Sequence, residues 1–307
     1  MLTEVSTTFY DIMFGEDAKR SSMNLLERET LKNARKVLNS PDQLSKQIPL
    51  LPVILITLLD TLKDPKSTID EFVAIIKQDP PFAAQILKVV NSPQFSREGK
   101  EVLSLHRAIC ILGLSGVSSI ASKILMAKVI PSNGKYYKKF GKQIWTHSVQ
   151  CASLSMMLFI FQNDKKENEQ TDFDAYFLGL IHDLGKIIIF NCLCESLSLV
   201  TLNSEPNSQV FKKLMSEMSI DITYHIAVEW GLPHIYCEAL REQSSIKTLP
   251  LAILLDKANQ ICEAYLMYER DLLNDEQISI LLEKLEVKEQ IWHEFKEIVP
   301  LIEANMS

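Results

Sequence analysis

The sequence predicts an all-α, multi-helix protein, and three observations carry that reading. Glycine is scarce, 9 in 307 residues, which leaves little for the tight turns that hairpins require. Apolar residues, 47% of the chain, recur at three- and four-residue spacing rather than alternating. Cap and stop signals divide the text into helix-sized pieces. A chain of this length and apolar content can fill the core of one large domain or two.

The elements follow in order. Residues 1–20 are weakly patterned. Ser21-Ser22 can cap a helix bearing Leu25, Leu26, Leu31, Ala34 and Leu38, which ends near Asn39-Ser40-Pro41. A polar connector then leads to Ile48-Pro49, with a boundary near residue 43. Leu51 to Leu62 reads as a helix stopped by Asp64-Pro65, and Ile69 to Ile76 as the next. Asp79 has the form of an N-cap, with Pro80 at the first helical position, for a helix to Val90 that breaks at Asn91-Ser92-Pro93. Helices are expected over about 102–112 and 115–129, joined at Gly113. A basic break at Lys135 to Lys142 separates these from longer helices over about 139–161, 173–194 and 208–230. Trp230-Gly231-Leu232-Pro233 closes the last of them. Leu249 to Leu266 is a further helix, and an acidic pair follows near 275–303. The organisation is a 1–43 extension, a 44–265 body in two parts (44–134 and 139–265), and a 266–307 C-terminal piece.

Charge limits the function classes. The net charge of -7 argues against sequence-independent nucleic-acid binding by the whole molecule. The distribution is uneven: residues 86–142 hold ten basic and two acidic side chains, while 246–307 hold six and twelve. Leu105 to Ile124 can be drawn as a helix-turn-helix, but its second helix offers only serines and one lysine for reading bases, so DNA is not an expected partner. Six cysteines without a Cys-x-x-Cys pair read as reduced, mostly buried thiols. The first residues lack a signal-peptide pattern, and the longest apolar run, Ile48 to Leu59, is about a dozen residues, includes two prolines and is too short to span a bilayer. A cytoplasmic protein without membrane contact is the expectation.

The chemistry sits in one dipeptide. His182-Asp183 interrupts the apolar run from Phe173 to Phe190, where an unpaired charge costs several kcal/mol on burial. A divalent ion at the helix edge would satisfy both residues. Two further residues are candidates for a one-metal quartet. His147 lies on the apolar stripe with Cys151, Leu154 and Leu158; Asp256 follows the run Leu249 to Leu255, with Asn259, Gln260 and Glu263 as helical neighbours. Each alone has a plainer reading, His147 as a hydrogen-bonded core residue and Asp256 as the wet edge of an amphipathic helix.

The order His147, His182-Asp183, Asp256 resembles the HD superfamily of metal-dependent phosphohydrolases. That resemblance implies that the quartet holds one divalent cation that activates water, with Asp183 also orienting it. His182-Asp183-Leu184-Gly185-Lys186 resembles the His-Asp-x-Gly-Lys of HD-GYP phosphodiesterases, which implies a phosphate contact for Lys186. A snorkelling surface lysine is the other reading. The more specific resemblance is to the HDOD family of bacterial signalling output domains, over about residues 44–245. It is carried by Leu51-Pro52, Asp64-Pro65, Ile75-Ile76-x-x-Asp79-Pro80, Leu87-Lys88-x-x-Asn91-Ser92, Ile111-Leu112-Gly113, Trp145-x-His147-Ser148, Gly179 to Gly185 and Trp230-Gly231-Leu232-Pro233.

The HDOD resemblance implies an N-terminal helical subdomain on an HD-like core and a non-catalytic regulatory role. Such a module binds a signalling protein or a nucleotide messenger. The histidines of the two-metal enzymes are missing: the region after Pro233 reads Ala239-Leu240-Arg241-Glu242-Gln243. A single-metal phosphohydrolase acting on a nucleotide or phosphomonoester is the competing expectation.

Overall fold

The computed structural model describes residues 9, 10, 12, 25–92, 101–129, 141–162, 170–198 and 208–304. Every regular element among them is helical. Helices α1 (Leu25–Leu38) and α2 (Pro41–Gln47) precede a group made of α3 (Val53–Lys63), α4 (Ile69–Ile76), α5 (Pro80–Val90) and α6 (Leu105–Val129). The second group comprises α7 (Lys142–Gln162), α8 (Asp172–Ile181), α9 (Leu184–Ser198), α10 (Ser208–Glu229), α11 (His234–Arg241) and α12 (Pro250–Tyr268). Helices α13 (Asp275–Lys284) and α14 (Glu289–Ala304) end the chain.

Local chemistry sets most boundaries where the sequence places them. Asp79 caps α5 by accepting from the Phe82 N–H at 3.0 Å, and Pro80 fills the first helical position. Thr68 and Glu71 close a reciprocal capping box at α4, as Thr171 and Asp174 do at α8. Gly113 takes φ 71° inside α6, a left-handed conformation that kinks it into the two expected helices. Ser118, Ser119 and Ser122 of the second half are buried in the fold.

Three expectations need correction. Residues 173–194 are not one helix: α8 ends at Ile181, and α9 starts at Leu184 after a turn at His182-Asp183. The connector after residue 40 is helical over Pro41–Gln47, with Ser40 at its N-cap position and Pro41 at its start. Three helical stretches, 105–128, 142–162 and 172–196, are long and apolar enough to cross a membrane by length and composition. Polar interruptions hid this from a search for continuous runs. In the fold, 83% of the most apolar window of the third stretch is buried within the protein. The Ser21-Ser22 cap and residues 135–140 of the basic break lie outside the described residues.

Helix α7 is the axis of the second group. It packs on α8, α12 and α14, so side chains on more than one face are buried. The acidic C-terminal helices thus cover the core: Trp292 and Phe295 of α14 stack edge-on against Tyr265. Helix α1 lies against α9 and α10. An Arg35–Glu217 ion pair straps α1 to α10, and beyond it a Ser45–Glu229 hydrogen bond (2.9 Å) from α2 and the Trp230 indole N–H donating to the Pro49 carbonyl (2.8 Å) extend the attachment. Among the cysteines, 151, 192, 237 and 262 are buried and Cys110 is exposed.

Two glycines let the helices that carry the His-Asp turn approach their neighbours backbone to backbone. A Cβ at Gly179 would lie 2.7 Å from Ala152 Cα of α7, and one at Gly185 would lie 2.1 Å from the Ser219 carbonyl oxygen of α10. Both contacts are far inside van der Waals distance and involve backbone, which cannot swing aside. Gly185→Ala is therefore expected to destabilise the protein by roughly 3 kcal/mol or more. Urea unfolding of the purified variant measures this, and a loss below about 1 kcal/mol would contradict the tight α9–α10 crossing.

Candidate functional site

The His182-Asp183 turn is held from below by one hydroxyl. Thr223 Oγ1 of α10 accepts from the Gly185 N–H at 3.0 Å and faces the carbonyls of His182 (3.1 Å) and Ser219 (2.9 Å). These bonds satisfy backbone groups that the interrupted helix leaves without intrahelical partners. With the turn fixed, His182 and Asp183 point into the same space, a convergence that adjacent positions on a continuous helix achieve only at its edge.

His147, His182 and Asp183 come together there, with one candidate ligand atom from each all within 4.8 Å of one another. His182 Nδ1–H donates to the Gly179 carbonyl at 2.7 Å, which fixes the ring and turns Nε2 inward. His182 Nε2 lies 3.3 Å from one Asp183 oxygen, and His147 Nε2 lies 3.7 Å from the other. Lys186, one turn further along α9, places its ammonium 2.8 and 2.9 Å from the two carboxylate oxygens of Asp183. This pair is inside the protein, with Asp183 4% and Lys186 6% exposed. Lys186 is therefore neither a snorkelling surface lysine nor a free phosphate contact.

Asp256 does not join the group. Its carboxylate, about a third exposed, accepts from Gln260 Nε2 at 2.7 Å and pairs with Lys247 at 3.4 Å. Asn259, less than one helical turn further along α12, occupies the fourth corner instead. Its Oδ1 lies 2.9 Å from His147 Nε2 and 3.2 Å from His182 Nε2, and its Nδ2 donates to Glu263 at 3.3 Å. The sequence reading passed over Asn259 and Glu263 because Asp256 offered the more attractive ligand. The available signal was helical phase: Leu255, Ala258 and Cys262 are among the buried positions of α12, Glu263 is buried with them, and Asn259 adjoins them. Phe9 and Tyr10 were also missed. Phe9 is fully buried with its ring centroid 4.8 Å from that of His147, and the Lys186 ammonium lies 5.4 and 5.5 Å from the Phe9 and Tyr10 ring centroids.

The electrostatics follow from this packing. Burial drives the His147 pKa down to about 3, so its imidazole is neutral. Burial opposes charge on His182 and Asp183 too, but each is the other's counter-ion. The Asp183 carboxylate raises His182, while His182 and Lys186 hold Asp183 down at about 2. Lys186 is likewise raised by Asp183 against the burial penalty. Glu263, desolvated on α12, is pushed up to about 7.

As arranged, these residues do not fit a resident divalent cation. Asn259 Nδ2 is committed to Glu263, which turns the carbonyl oxygen toward both imidazoles. Because that oxygen can only accept, the facing nitrogens serve as N–H donors, the reverse of a metal-ligating imidazole. A cation would also have to displace the Lys186 ammonium from both Asp183 oxygens. The cleft is instead closed on itself by hydrogen bonds and one buried ion pair.

Comparison with known proteins agrees with the fold. A family model described as the HDOD domain matches residues 48–246. An uncharacterized protein of Treponema pallidum (strain Nichols) is 24% identical over 250 residues, covering 78% of this chain and 46% of the relative, so the chain spans about half that protein's length. Two crystal structures share the architecture at 19% identity. One, from Shewanella amazonensis SB2B, is provisionally described as a metal-dependent phosphohydrolase; its TM-score is 0.67, over 92% of this chain and 99% of that one. The other, from Marinobacter aquaeolei VT8, is provisionally described as a signal transduction protein; its TM-score is 0.61, over 93% and 67%.

Two predictions follow from the charges. Lys186→Ala leaves the Asp183 carboxylate buried without its ammonium and is expected to cost about 3–5 kcal/mol in denaturant unfolding. A loss near zero would show that Asp183 is solvated. Glu263 binds its proton more tightly in the folded than in the unfolded protein. Its contribution is therefore fully present below the ordinary carboxylate range and lost as pH rises through about 7. Glu263→Gln should remove that loss, leaving stability unchanged near pH 4 and raising it at pH 8 by at most about 3 kcal/mol. Parallel pH–stability curves for the two proteins would refute the burial of this charge.

Proposed function

This chain belongs to the HDOD domain family, and we propose that it is a non-catalytic regulatory module that binds a signalling partner, a protein or a nucleotide messenger, through an HD-derived cleft. One observation supports this most directly: the position facing both imidazoles is Asn259, a neutral amide, where the expected metal quartet has a negatively charged carboxylate. The adjacent Lys186–Asp183 pair supports the same reading, because the anion that would bind a metal already has a cation. Cytoplasmic residence, where nucleotide messengers and soluble partners are available, belongs to this proposal.

A single-metal phosphohydrolase is the second reading. It is favoured by the convergence of His147, His182 and Asp183 and by the inward aim of His182 Nε2. It requires Lys186 to leave Asp183 before an ion can enter, and Asn259 to supply its oxygen as a ligand.

Metal analysis separates the two. Purified protein is expected to carry less than stoichiometric Mn, Fe, Co, Ni or Zn, to show no thermal stabilisation by added Mn²⁺, and to release no phosphate from nucleotides, cyclic dinucleotides or p-nitrophenyl phosphate. Metal-dependent turnover abolished by His182→Ala would overturn the proposal. Asn259→Asp supplies the missing charge and should convert the cleft toward metal binding. Its expected signature is an Mn²⁺-dependent rise in melting temperature that the unsubstituted protein lacks.

A further inference from the structure

The Lys186–Asp183 pair and His147 are covered by residues from the far N-terminal end of the sequence. Phe9 is completely buried, Tyr10 and Ile12 nearly so, although all three lie in a stretch with little helical patterning and well outside the family-matched region 48–246. Phe9 and Tyr10 pack into the hydrophobic core and also meet polar groups of the cleft. The Phe9 ring lies on the His147 imidazole at a centroid distance of 4.8 Å, and the faces of Phe9 and Tyr10 both approach the Lys186 ammonium. An ammonium over two aromatic faces is held by the ring quadrupoles, an interaction that strengthens when water is excluded. The cover thus seats itself on the functional groups of the cleft and is supplied from outside the family body.

We infer that Phe9 and Tyr10 form an intramolecular plug that occupies the cleft in the place of a ligand, so that access to His147 and Lys186 requires these N-terminal residues to withdraw. The chemistry supports an exchangeable contact. Cation–π contacts of this kind, even with the apolar burial of the two rings added, are small beside the interactions that hold a whole domain folded. A local opening that spares the rest of the fold is therefore energetically accessible. What the opened cleft presents is an ammonium, two imidazoles and a carboxylate around one space, a surface suited to an anionic ligand that takes Lys186 from Asp183. This inference rests on the geometry of the cover and not on the regulatory reading, since a catalytic cleft would be gated in the same way.

The test is the accessibility of His147 in the full chain. An imidazole reacts with diethyl pyrocarbonate only when reagent can reach it; exposed His225 and His234 serve as internal references. In the unsubstituted protein His147 is expected to react far more slowly than His234. In Phe9→Ala/Tyr10→Ala it should react at least about tenfold faster than before, while the references are unchanged and buried Cys151 and Cys262 stay silent to a thiol reagent. Three results would each overturn the plug. The first is His147 reacting as fast as His234 in the unsubstituted protein. The second is a folded double variant with His147 still protected. The third is exposure of Cys151 and Cys262 in both this variant and the bulk-preserving Phe9→Leu/Tyr10→Leu, which would make the residues part of the core. None of these touches the metal and turnover measurements that test the proposed function.

Discussion

A carboxylate held in the interior dictates what surrounds it, and Asp183 is that carboxylate. An ionised group there is tolerated only with a counter-charge and hydrogen bonds, because a bare one costs several kcal/mol. Lys186 supplies the charge from one turn away on the same helix, and His182 adds to it. Once those are in place, the rest of the cluster has its role fixed by what remains to be satisfied. His147 stays neutral and turns to Asn259; Asn259 turns its amide nitrogen to Glu263. The members come from α7, the His182-Asp183 turn, α9 and α12, so the network also fixes how these helices sit against one another.

The sequence made the helices legible because their signals are local. Asp79-Pro80 and Gly113 each act within a few residues, and the cap and the kink fall where those signals put them. The His-Asp turn was not legible as a turn, because apolar text continues through it without a proline. It is Thr223, 40 residues beyond Asp183, that makes a break affordable by bonding the freed backbone groups. Gly179 and Gly185 were visible as parts of a motif, but only the fold shows them as points of backbone contact.

The site was legible in part for the same reason. His147 stands on an inward stripe and His182-Asp183 in a greasy run, so burial could be read for all three. The fourth corner depends on helical phase, and a step of three residues separates a partly exposed Asp256, paired with Lys247, from an Asn259 turned to the imidazoles. Residue type alone favours the acid; only rotation about the α12 axis separates the two. Phe9 and Tyr10 were out of reach for a different cause: a few aromatic residues without periodic neighbours carry no local signal of what they cover.

The Gly185 contact has a mechanical consequence. With no side chain between them, the backbones of α9 and α10 mesh directly, and Thr223 pins the turn to the same stretch of α10. The His182-Asp183 corner and α10 therefore behave as one stiff lever with no compliant layer in between. The end of that lever carries Glu229 and Trp230, whose bonds to Ser45 and Pro49 reach the chain joining the N-terminal helices to the rest of the body. A tilt of the corner would bear on α10 directly, and through it on that distant joint.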